Sequence, residues 1–468
     1  MSHTLALDIG TSSLRAMLLD AQGVALPGVL VRKGYNLATT PDGGVTLDPQ
    51  HLLQLCVTAI DEVLQQAGSR RIARVAMDTL VANLLGVDGA GEPLTPLYTW
   101  ADTRGAELAD RLDTSGYTQR SGCRLHTSYW PLRILWLQTA QPQLFRRVKH
   151  WLSFGEYLFY KLFGQRRISI SVASWSGLLD RHRLTWDRPM LEQLPLDSGQ
   201  LSAISNEALQ GLATPWAARW PALKDALWFP AIGDGVAANL GAGCSRPGHV
   251  ALSLGTSGAM RVVVPGTPVQ TPAGLFVYRI DDARSLVGGA LSNAGNLYAW
   301  LQRVLADVDE EVLAAMAPDS HGLTVLPFLA GERAPGWRDE ARAVFAGMTF
   351  DTAQEHLLRA ALEAVACRFA LILQRLRPLL PADPRFIANG AALRQSPLWL
   401  QIMADVLGAP VHLCAEEEAT IRGAALLAMR REPAPETGAG CQPRMEYYPV
   451  YQEAIARQQG LYDRLLLH

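Results

Sequence analysis

The stretch that decides the fold is Pro230-Ala-Ile-Gly-Asp-Gly-Val-Ala-Ala-Asn-Leu-Gly-Ala-Gly243, followed shortly by Ala251-Leu-Ser-Leu-Gly-Thr-Ser-Gly-Ala-Met-Arg261. Asp234 lies between two glycines, which allow the backbone to turn sharply and a substrate to come close. Gly255-Thr-Ser-Gly258 follows an apolar strand and offers free backbone N–H groups and two hydroxyls, which suit a phosphate. The stretch therefore predicts a carboxylate base beside a phosphate-binding loop.

The start of the chain has the same plan. Thr4-Leu-Ala-Leu-Asp-Ile-Gly-Thr-Ser-Ser-Leu-Arg-Ala-Met17 and residues 250–263 each contain an apolar strand, a Gly-Thr-Ser turn and a second strand. A repeat this far apart predicts two related halves, each with its own phosphate hairpin. Asp8 of the first copy corresponds to Ser253 of the second, so only the first half brings a carboxylate that can face a metal. We expect a nucleotide to bind between the halves.

Bulk composition narrows the function classes. The 468 residues exceed one ordinary core, which predicts two or more domains. A composition of 49% hydrophobic and 18% charged residues with a net charge of -2 gives no support for binding nucleic acid or an anionic membrane. The six cysteines contain no Cys-x-x-Cys pair and predict reduced, buried thiols. Without a signal-peptide pattern or a bilayer-long apolar run, we expect a cytoplasmic protein.

Apolar periodicity predicts strands and helices in alternation, which indicates a mixed α/β sheet. The predicted strands are a meander over 4–34 and runs at 72–77, 84–87, 285–288, 323–329 and 385–388. The predicted helices cover 49–68, 130–137, 151–163, 296–305, 352–379 and 397–406, and one ends at 424–429. We expect residues 432–443 to be irregular because they are rich in Pro and Gly, and 445–466 to form a terminal extension or helix.

One polar, aromatic segment is a candidate sugar site. In Thr99-Trp-Ala-Asp-Thr-Arg104, Asp102 can accept hydrogen bonds from vicinal hydroxyls and Arg104 can donate to them or to a carboxylate. Trp100 offers a ring face to sugar C–H groups. The alternative is a helix start with Asp102 as N-cap and Arg104 on the surface.

Three other segments carry weaker signals. His126 can contact substrate, although a lone histidine is more often structural. The small-residue run over 169–177 predicts close packing or a loop over a site. A strand end, Asn389-Gly390 and a following helix together predict a nucleotide-side pocket.

In family order, these segments resemble the FGGY carbohydrate kinases, from Asp8-Ile-Gly-Thr-Ser-Ser13 to Gly423-Ala-Ala425. The gluconokinase branch is the most similar and the xylulokinase branch is next. The resemblance implies an α/β fold of two duplicated ribonuclease-H-like domains, as in actin-like ATPases, with a nucleotide cleft between them. The domains would cover 1–245 and 246–430, with a C-terminal extension over 431–468.

The resemblance also implies residue roles. Asp234 would be the general base and Asp8 the carboxylate on the Mg²⁺ side. The implied ATP-binding residues are Gly10, Thr11, Ser12 and Arg15, then Gly255, Thr256 and Ser257, then Gly390, Ala391 and Arg394. The implied substrate-binding residues are Trp100, Asp102, Arg104, His126 and Asp234. ATP and Mg²⁺ are the implied cofactors and a small sugar or sugar acid the partner, and a homodimer is compatible with the sequence.

Three positions depart from the family pattern. A Met-His pair that the family often has near the sugar is replaced by Val81-Ala82, which leaves the identity of the sugar open. The family's lysine in the helix after His126 is Arg133, and the second glycine of the adenosine turn is Ala391. These last two changes leave the nucleotide chemistry intact.

The predicted activity is therefore ATP-dependent phosphorylation of a hydroxyl, with gluconate or a related aldonate as the first substrate class. Phosphoryl transfer needs mainly positioning, charge neutralisation and a base, which the duplicated hairpins and Asp234 can supply. A xylulokinase-like ketopentose or polyol kinase is the alternative within the family. A different class, an actin- or chaperone-like ATPase or a sugar sensor without turnover, leaves Trp100, Asp102, Arg104 and Asp234 without a common role.

Overall fold

The computed structural model describes residues 2–305 and 308–466. We number strands and helices in chain order. The strands of the first half are β1 His3–Ile9, β2 Ser13–Leu19, β3 Ala25–Gly34, β4 Ala38–Thr39, β5 Val45–Leu47, β6 Ile72–Thr79, β7 Leu85–Val87, β8 Leu97–Tyr98, β9 His150–Leu152, β10 Arg167–Ile168, β11 Leu179–Asp180, β12 Thr185–Trp186, β13 Ala203–Ile204, β14 Leu227–Trp228 and β15 Ile232–Gly233. Its helices are α1 Pro49–Ala67, α2 Tyr117–Ser121, α3 Trp130–Ala140, α4 Pro142–Arg147, α5 Phe154–Phe163, α6 Ile170–Trp175, α7 Arg188–Leu191, α8 Thr214–Arg219 and α9 Asp234–Gly241.

The second half has fewer and longer elements. Its strands are β16 His249–Leu254, β17 Gly258–Pro265, β18 Phe276–Arg279, β19 Arg284–Leu291, β20 Thr324–Leu326, β21 Val344–Ala346, β22 Arg385–Asn389, β23 Val411–Cys414 and β24 Thr437–Cys441. Its helices are α10 Gly295–Val304, α11 Glu310–Ala315, α12 Gln354–Leu376, α13 Ala391–Gln395, α14 Pro397–Leu407, α15 Ala419–Ala428 and α16 Tyr448–Leu466. Short 3₁₀ helices cover Ala106–Arg111, Ser198–Gln200, Pro221–Leu223, Arg377–Leu379 and Met445–Tyr447.

Each half is built on one mixed sheet. In the first sheet the order is β14-β6-β1-β2-β3, and β15 pairs with β6 beyond β14. In the second sheet the order is β18-β19-β17-β16-β22-β23-β24. In both, an antiparallel hairpin (β1–β2 or β16–β17) continues into a parallel pair (β1–β6 or β16–β22). The predicted duplicated α/β fold is confirmed.

Helix α1 shows how the sequence builds these layers. Asp48 caps its start by accepting hydrogen bonds from the backbone N–H groups of Gln50 and His51, and Pro49 occupies the first turn, where its missing N–H costs nothing. A stripe of apolar side chains is buried in the core of the first half, including Leu52, Cys56, Ile60 and Val63. The helix ends at Gly68, whose φ of 59° favours glycine.

The two halves meet where helix α15 of the second half crosses helix α9 of the first. A Cβ on Gly241 would collide with the carbonyl oxygen of Ala419, and one on Gly423 would collide with that of Ala237. The crossing is therefore backbone against backbone, which only glycine permits. Ile421 and Ala425 of α15 also pack against Ala6 and Met17 of the first sheet.

Two secondary-structure predictions need correction. Residues 437–441, predicted irregular, form β24 at the edge of the second sheet, because backbone hydrogen bonds to β23 hold a strand whose glycines lack β-propensity. The helix predicted over 151–163 begins at Phe154, since Ser153 is a capping-box residue and His150–Leu152 pairs with β7. The small-residue run over 169–177 is closely packed, one of the two alternatives predicted for it, since residues 171–175 of helix α6 are buried.

Burial agrees with the remaining sequence predictions. Five of the six cysteines are buried and Cys441 is partly buried, and all six are free thiols. The long helix α12 lies in the core of the second half. Within residues 2–305 and 308–466, no helix combines the length and apolar character needed to cross a bilayer.

Candidate active site

Three carboxylates converge at the ends of three neighbouring parallel strands in the first sheet. Asp8 near the end of β1 lies directly opposite Asp78 near the end of β6. Ile232 of β15 lies opposite Asp78 on its other side, and Asp234 follows two residues later at the start of α9. Because the carboxyl ends of parallel strands meet at one edge of a sheet, residues far apart in the chain share this place.

Burial raises the pKa of all three carboxylates, and Asp8 and Asp78 are the most buried. Asp8 is 3% exposed and Asp78 is 0% exposed. Burial raises the pKa of Asp78 well above its ordinary value, and the adjacent charge of Asp8 raises it further. Burial also raises the pKa of Asp8, although the Arg15 guanidinium opposes the change. Arg15 Nε lies 3.5 Å from Asp8 Oδ2.

Asp234, the predicted general base, faces a cavity. Its Oδ1 accepts a hydrogen bond of 2.7 Å from the backbone N–H of Gly235, which orients the carboxylate at the first turn of α9. Burial raises the pKa of Asp234 to about 6, and the charge of Arg261 limits the rise. A carboxylate with a pKa near the working pH suits a general base.

The cavity beside Asp234 has a volume of about 190 Å³ and lies between the halves. Its first-half lining includes Thr11, Val81, Ala82, Trp100, Ser128, Tyr129 and Trp175. Its second-half lining includes Ser253, Ser257, Arg261, Phe276, Tyr278, Arg333 and Trp337. Aromatic walls with a few polar groups are typical of a small-molecule site.

Both predicted phosphate hairpins reach this cavity. In the first, the N–H of Gly10 donates to Ser13 O at 3.0 Å, and Thr11 lines the cavity. In the second, the N–H of Gly255 donates to Ser257 O at 3.0 Å, and Ser257 lines the cavity. Ser12 and Thr256, at the two tips, are exposed. The paired turns therefore present hydroxyls and backbone to the same space from opposite halves.

Arg15 connects the first hairpin to the second half. Its Nη1 donates to Glu418 Oε2 at 2.8 Å, and Arg32 also pairs with Glu418. Glu418 immediately precedes helix α15. Arg15, which is predicted to bind phosphate, therefore pairs with Asp8 of the first half and with Glu418 of the second half.

The predicted adenosine segment follows β22. Gly390 has a φ of 102°, and a Cβ there would collide with the carbonyl of Leu254, so glycine is required where β16 passes. Ala391 is exposed, and Arg394 donates to the carbonyl oxygens of Cys414 at 2.6 Å and Glu416 at 2.9 Å. Arg394 thereby braces the end of β23 beside this segment.

Of the predicted sugar-binding residues, Trp100 and Asp234 line the cavity and the pair Asp102–Arg104 lies behind it. Arg104 Nη2 donates to Asp102 Oδ2 at 2.6 Å, and the guanidinium stacks 4.3 Å from the ring centroid of Trp136. Asp102 is 1% exposed and also accepts from the N–H of Val45. The N-cap alternative for Asp102 is wrong, because the 3₁₀ helix begins after Gly105.

His126 also lies behind the cavity lining. Its Nε2 lies 2.7 Å from Asp339 Oδ1 and its Nδ1 lies 3.0 Å from Ser128 Oγ. The ring packs edge-on against Trp337, with 5.3 Å between centroids. His126 therefore supports two residues of the lining, Ser128 and Trp337, and connects the halves through Asp339.

Three site residues have no role in the sequence prediction: Asp78, Arg261 and Arg333. Asp78 lies three residues before Val81, Arg261 follows the second Gly-Thr-Ser turn, and Arg333 follows the strand predicted over 323–329. The strand end at Asp78 was the available signal, since carboxyl-end residues of neighbouring parallel strands meet. The two arginines offered no local signal, because only the closure of the halves brings them to Asp234.

Comparison with known families agrees with this geometry. The family model "FGGY family of carbohydrate kinases, N-terminal domain" matches residues 3–241, and the corresponding C-terminal domain model matches residues 250–432. The chain belongs to the FGGY family of carbohydrate kinases. It is accordingly a kinase of the carbohydrate class, and the family implies use of ATP.

Individual FGGY relatives differ in the substrate that their names give. The chain is 26% identical over 449 residues to a gluconokinase of Bacillus subtilis (strain 168), covering 92% of this chain and 87% of that one. It is 31% identical over 460 residues to a glycerol kinase of Citrifermentans bemidjiense, covering 92% and 90%. A solved gluconate kinase from Lactobacillus acidophilus superposes with a TM-score of 0.90 at 25% identity, covering 99% and 98%. A xylulose kinase from the same organism has a TM-score of 0.91 at 24% identity, which shows the shared fold.

Proposed function

We propose that this FGGY kinase phosphorylates a hydroxyl of a sugar acid, an aldonate such as gluconate. The observation that carries the proposal is the charge of the cavity. Two guanidinium groups, Arg261 and Arg333, line it together with one carboxylate, Asp234. An anionic substrate restores the charge balance that a neutral sugar leaves uncompensated.

Both arginines keep donors available for a ligand. The Nε atoms of Arg261 and Arg333 are buried and have no hydrogen-bond partner in the described structure. Burial lowers the pKa of Arg261 to about 10 and also lowers that of Arg333, so both stay protonated at neutral pH. A planar guanidinium binds a carboxylate through two parallel hydrogen bonds. We assign the acid group of the substrate to this pair.

The aromatic walls orient the rest of the substrate. The guanidinium of Arg333 lies 4.8 Å from the ring centroid of Trp100, and Trp175 stacks on Tyr278 with 3.7 Å between centroids. These contacts fix the rings in place. The ring surface that Trp100 and Trp175 present to the cavity can pack against the C–H groups of a polyhydroxy chain. Val81 and Ala82, in place of a Met-His pair, leave this wall smaller and apolar.

Asp234 performs the proton transfer in the proposed reaction. It accepts the proton of the attacking hydroxyl, and Gly235 holds the carboxylate in place. Thr11 and Ser257 position the phosphates of ATP from the two halves, and Asp8 lies on the side of the metal. Bound Mg²⁺ would neutralise phosphate charge. The two carboxylate oxygens of Asp78, beside Asp8, are buried and accept no hydrogen bond, and they fit the ion's preference for oxygen ligands. Contact between the halves excludes water and limits wasteful hydrolysis.

The deciding experiment compares substrates that differ only in the acid group. ADP release with Mg·ATP is measured for gluconate and for glucitol, its uncharged counterpart, alongside xylulose, ribulose, glycerol and erythritol. We expect gluconate or another aldonate to have the highest kcat/KM. A higher value for xylulose or glycerol than for every aldonate would reject the proposal in favour of a ketopentose or polyol kinase.

Arginine variants assign the preference to this cavity. In Arg261→Gln and Arg333→Gln, the ratio of kcat/KM for gluconate over glucitol should fall by about ten- to a hundredfold, as expected for loss of a charged hydrogen bond of 1.5–3 kcal/mol. Arg338→Gln is the matched control, because Arg338 pairs with Glu340 at the surface. An unchanged ratio in both cavity variants would contradict the assignment.

A further inference from the structure

Asp78 is a buried acid, and the polar group that lies against it is another acid, Asp8. Its side chain is 0% exposed, and neither carboxylate oxygen accepts a hydrogen bond from any described group. No described arginine, lysine or histidine forms an ion pair with it; Arg15, the nearby cation, is engaged by Asp8 and Glu418. An unsatisfied buried carboxylate is costly, so its retention calls for a ligand.

The two oxygens of Asp78 share one place with other acidic oxygens. Asp8 and Asp78 are register partners in adjacent parallel strands, so their side chains project from the same face of the sheet. Asp234 lies on the opposite side of Asp78, and its charge acts on Asp78 as well. Asp8 and Asp78 thus lie side by side at the edge of the sheet that carries the first hairpin, with Asp234 nearby.

The second half shows that the fold does not require these acids. Its corresponding strands, β16 and β22, place Ser253 opposite Asn389 in the same register as Asp8 and Asp78. Both second-half residues are uncharged and occupy an equivalent strand pair. The two carboxylates of the first half therefore serve a ligand rather than the architecture of the sheet.

We propose that Asp78 is a metal ligand and that, together with Asp8, it holds a divalent cation on the protein before any nucleotide arrives. Carboxylate oxygens are the preferred ligands of Mg²⁺ and Mn²⁺. A doubly charged ion compensates both acids in a buried place where a single guanidinium does not. The protein then contributes two carboxylates to the metal instead of Asp8 alone.

Another acidic group in the chain makes a useful contrast. Asp319, His321 and Glu363 lie close enough together to bind an ion. Their carboxylates are already compensated, because Arg457 pairs with Asp319 at 2.5 Å and Arg359 with Glu363 at 2.6 Å. This group is an ion-pair network, and it supplies the control for the metal titration.

The test is a titration of the nucleotide-free enzyme with Mn²⁺. The concentration of free Mn²⁺ is measured at each step by electron paramagnetic resonance. We expect one Mn²⁺ site in the wild type, competed by Mg²⁺. Asp78→Asn and Asp8→Asn should each weaken it by about ten- to a hundredfold, the range for removal of a group that supports a metal. Asp319→Asn should leave the affinity unchanged. The titration needs neither sugar nor ATP, so its outcome is independent of the substrate assignment.

Thermal melting separates loss of the ion from loss of the fold. Without metal, Asp78→Asn should melt no lower than the wild type, because a buried, unpaired carboxylate has been removed. At a Mg²⁺ concentration that saturates the wild type, the rise in melting temperature should be smaller for Asp78→Asn than for the wild type. Wild-type enzyme that binds no Mn²⁺ without nucleotide would overturn the proposal. Unchanged Mn²⁺ affinity in Asp78→Asn would overturn it too, and would mean that Asp8 and Asp78 share a proton.

Discussion

Asp234 differs from Asp8 and Asp78 in its surroundings rather than its chemistry. It lines the cavity, receives one backbone hydrogen bond and lies within the field of Arg261. Asp8 and Asp78 are more deeply buried and face each other. These surroundings support the proposals that Asp234 exchanges a proton with substrate and that Asp8 and Asp78 bind a cation.

Replacing Asp234 by Asn should separate activity from stability. We expect kcat for the best sugar to fall by about 10²- to 10⁴-fold, the usual contribution of a general base. Burial raises the folded-state pKa from 3.8 to about 6, so the native protein loses stability as the pH rises through this window. Asp234→Asn removes that penalty and should melt at pH 7 no lower than the wild type. ADP release and thermal melting measure both effects, and turnover near wild type would reject Asp234 as the base.

The pH dependence of the reaction should report the same carboxylate. We expect kcat/KM to rise with pH, with a midpoint of about 6, because Asp234 must be ionised to accept a proton. Arg261→Gln should move this midpoint upward, since the guanidinium lowers the pKa of Asp234. Rates measured over roughly pH 4 to 8 bracket the midpoint expected of a base that works near neutral pH. A midpoint that stays at the ordinary value of 3.8 would contradict the assignment.

At the level of elements, the crossing of α9 and α15 positions the base. Helix α9 begins with Asp234 and ends with Gly241, which touches the backbone at the start of α15. Gly423 of α15 touches the backbone of α9 in return. A change in this contact therefore displaces helix α9 and, with it, Asp234, the proposed base.

Gly423→Ala tests the crossing. The added methyl group meets the carbonyl of Ala237, so the helices must separate, and we expect a loss of about 1–3 kcal/mol in unfolding free energy, together with lower kcat. Gly460→Ala in α16 is the matched control, because a Cβ there meets nothing within 4 Å. The control should gain about 0.5–1 kcal/mol from helix propensity. Denaturant unfolding decides, and equal stability of both variants would show that the crossing tolerates separation.

Predictions at this scale succeeded where the pattern was local. Helix α1 has a cap, a proline start, an apolar stripe and a glycine end within one contiguous segment. Strand β24 has no such pattern, because its residues alternate glycine with small side chains. Its strand conformation depends on pairing with β23, which lies more than 20 residues earlier in the chain, so the local sequence does not predict it.

In the whole molecule, the halves are joined through charged side chains as well as through the helix crossing. Glu418 of the second half pairs with Arg15 and Arg32 of the first. His126 of the first half pairs with Asp339 of the second. Because Arg15 is a predicted phosphate ligand, ATP has to compete with Glu418 for its guanidinium.

Glu418→Gln should therefore tighten ATP binding. We expect the KM for ATP to fall about two- to fivefold, the effect of removing a partly exposed ion pair worth up to about 1 kcal/mol. Arg32→Gln is the control, since it leaves the pair between Arg15 and Glu418 in place. Initial rates at saturating sugar and varied ATP provide the measurement. A rise in the KM for ATP would mean that Glu418 supports the nucleotide site instead of competing with it.

The sequence by itself determined the duplicated fold, the FGGY family and the two Gly-Thr-Ser hairpins. Those features lie in contiguous segments, where turn residues and apolar strands act over short distances. The roles assigned to Asp234, Asp8 and the hairpin residues remain predictions, although Asp234, Thr11 and Ser257 meet at one cavity. The domain boundaries at 245 and 430 also remain predictions.

Only the tertiary structure decided which other charged residues lie near Asp8 and Asp234. Asp78 reaches Asp8 through the register of parallel strands, and Arg261 and Arg333 reach Asp234 through the packing of one half on the other. The same structure paired Asp102 with Arg104 behind the cavity lining. Strand register and domain packing depend on the sum of many distant contacts, so no local spacing of residues encodes them. The sequence thus determined the paired hairpins and the position of Asp234 in the chain, and the tertiary structure determined which charged residues line the cavity beside them.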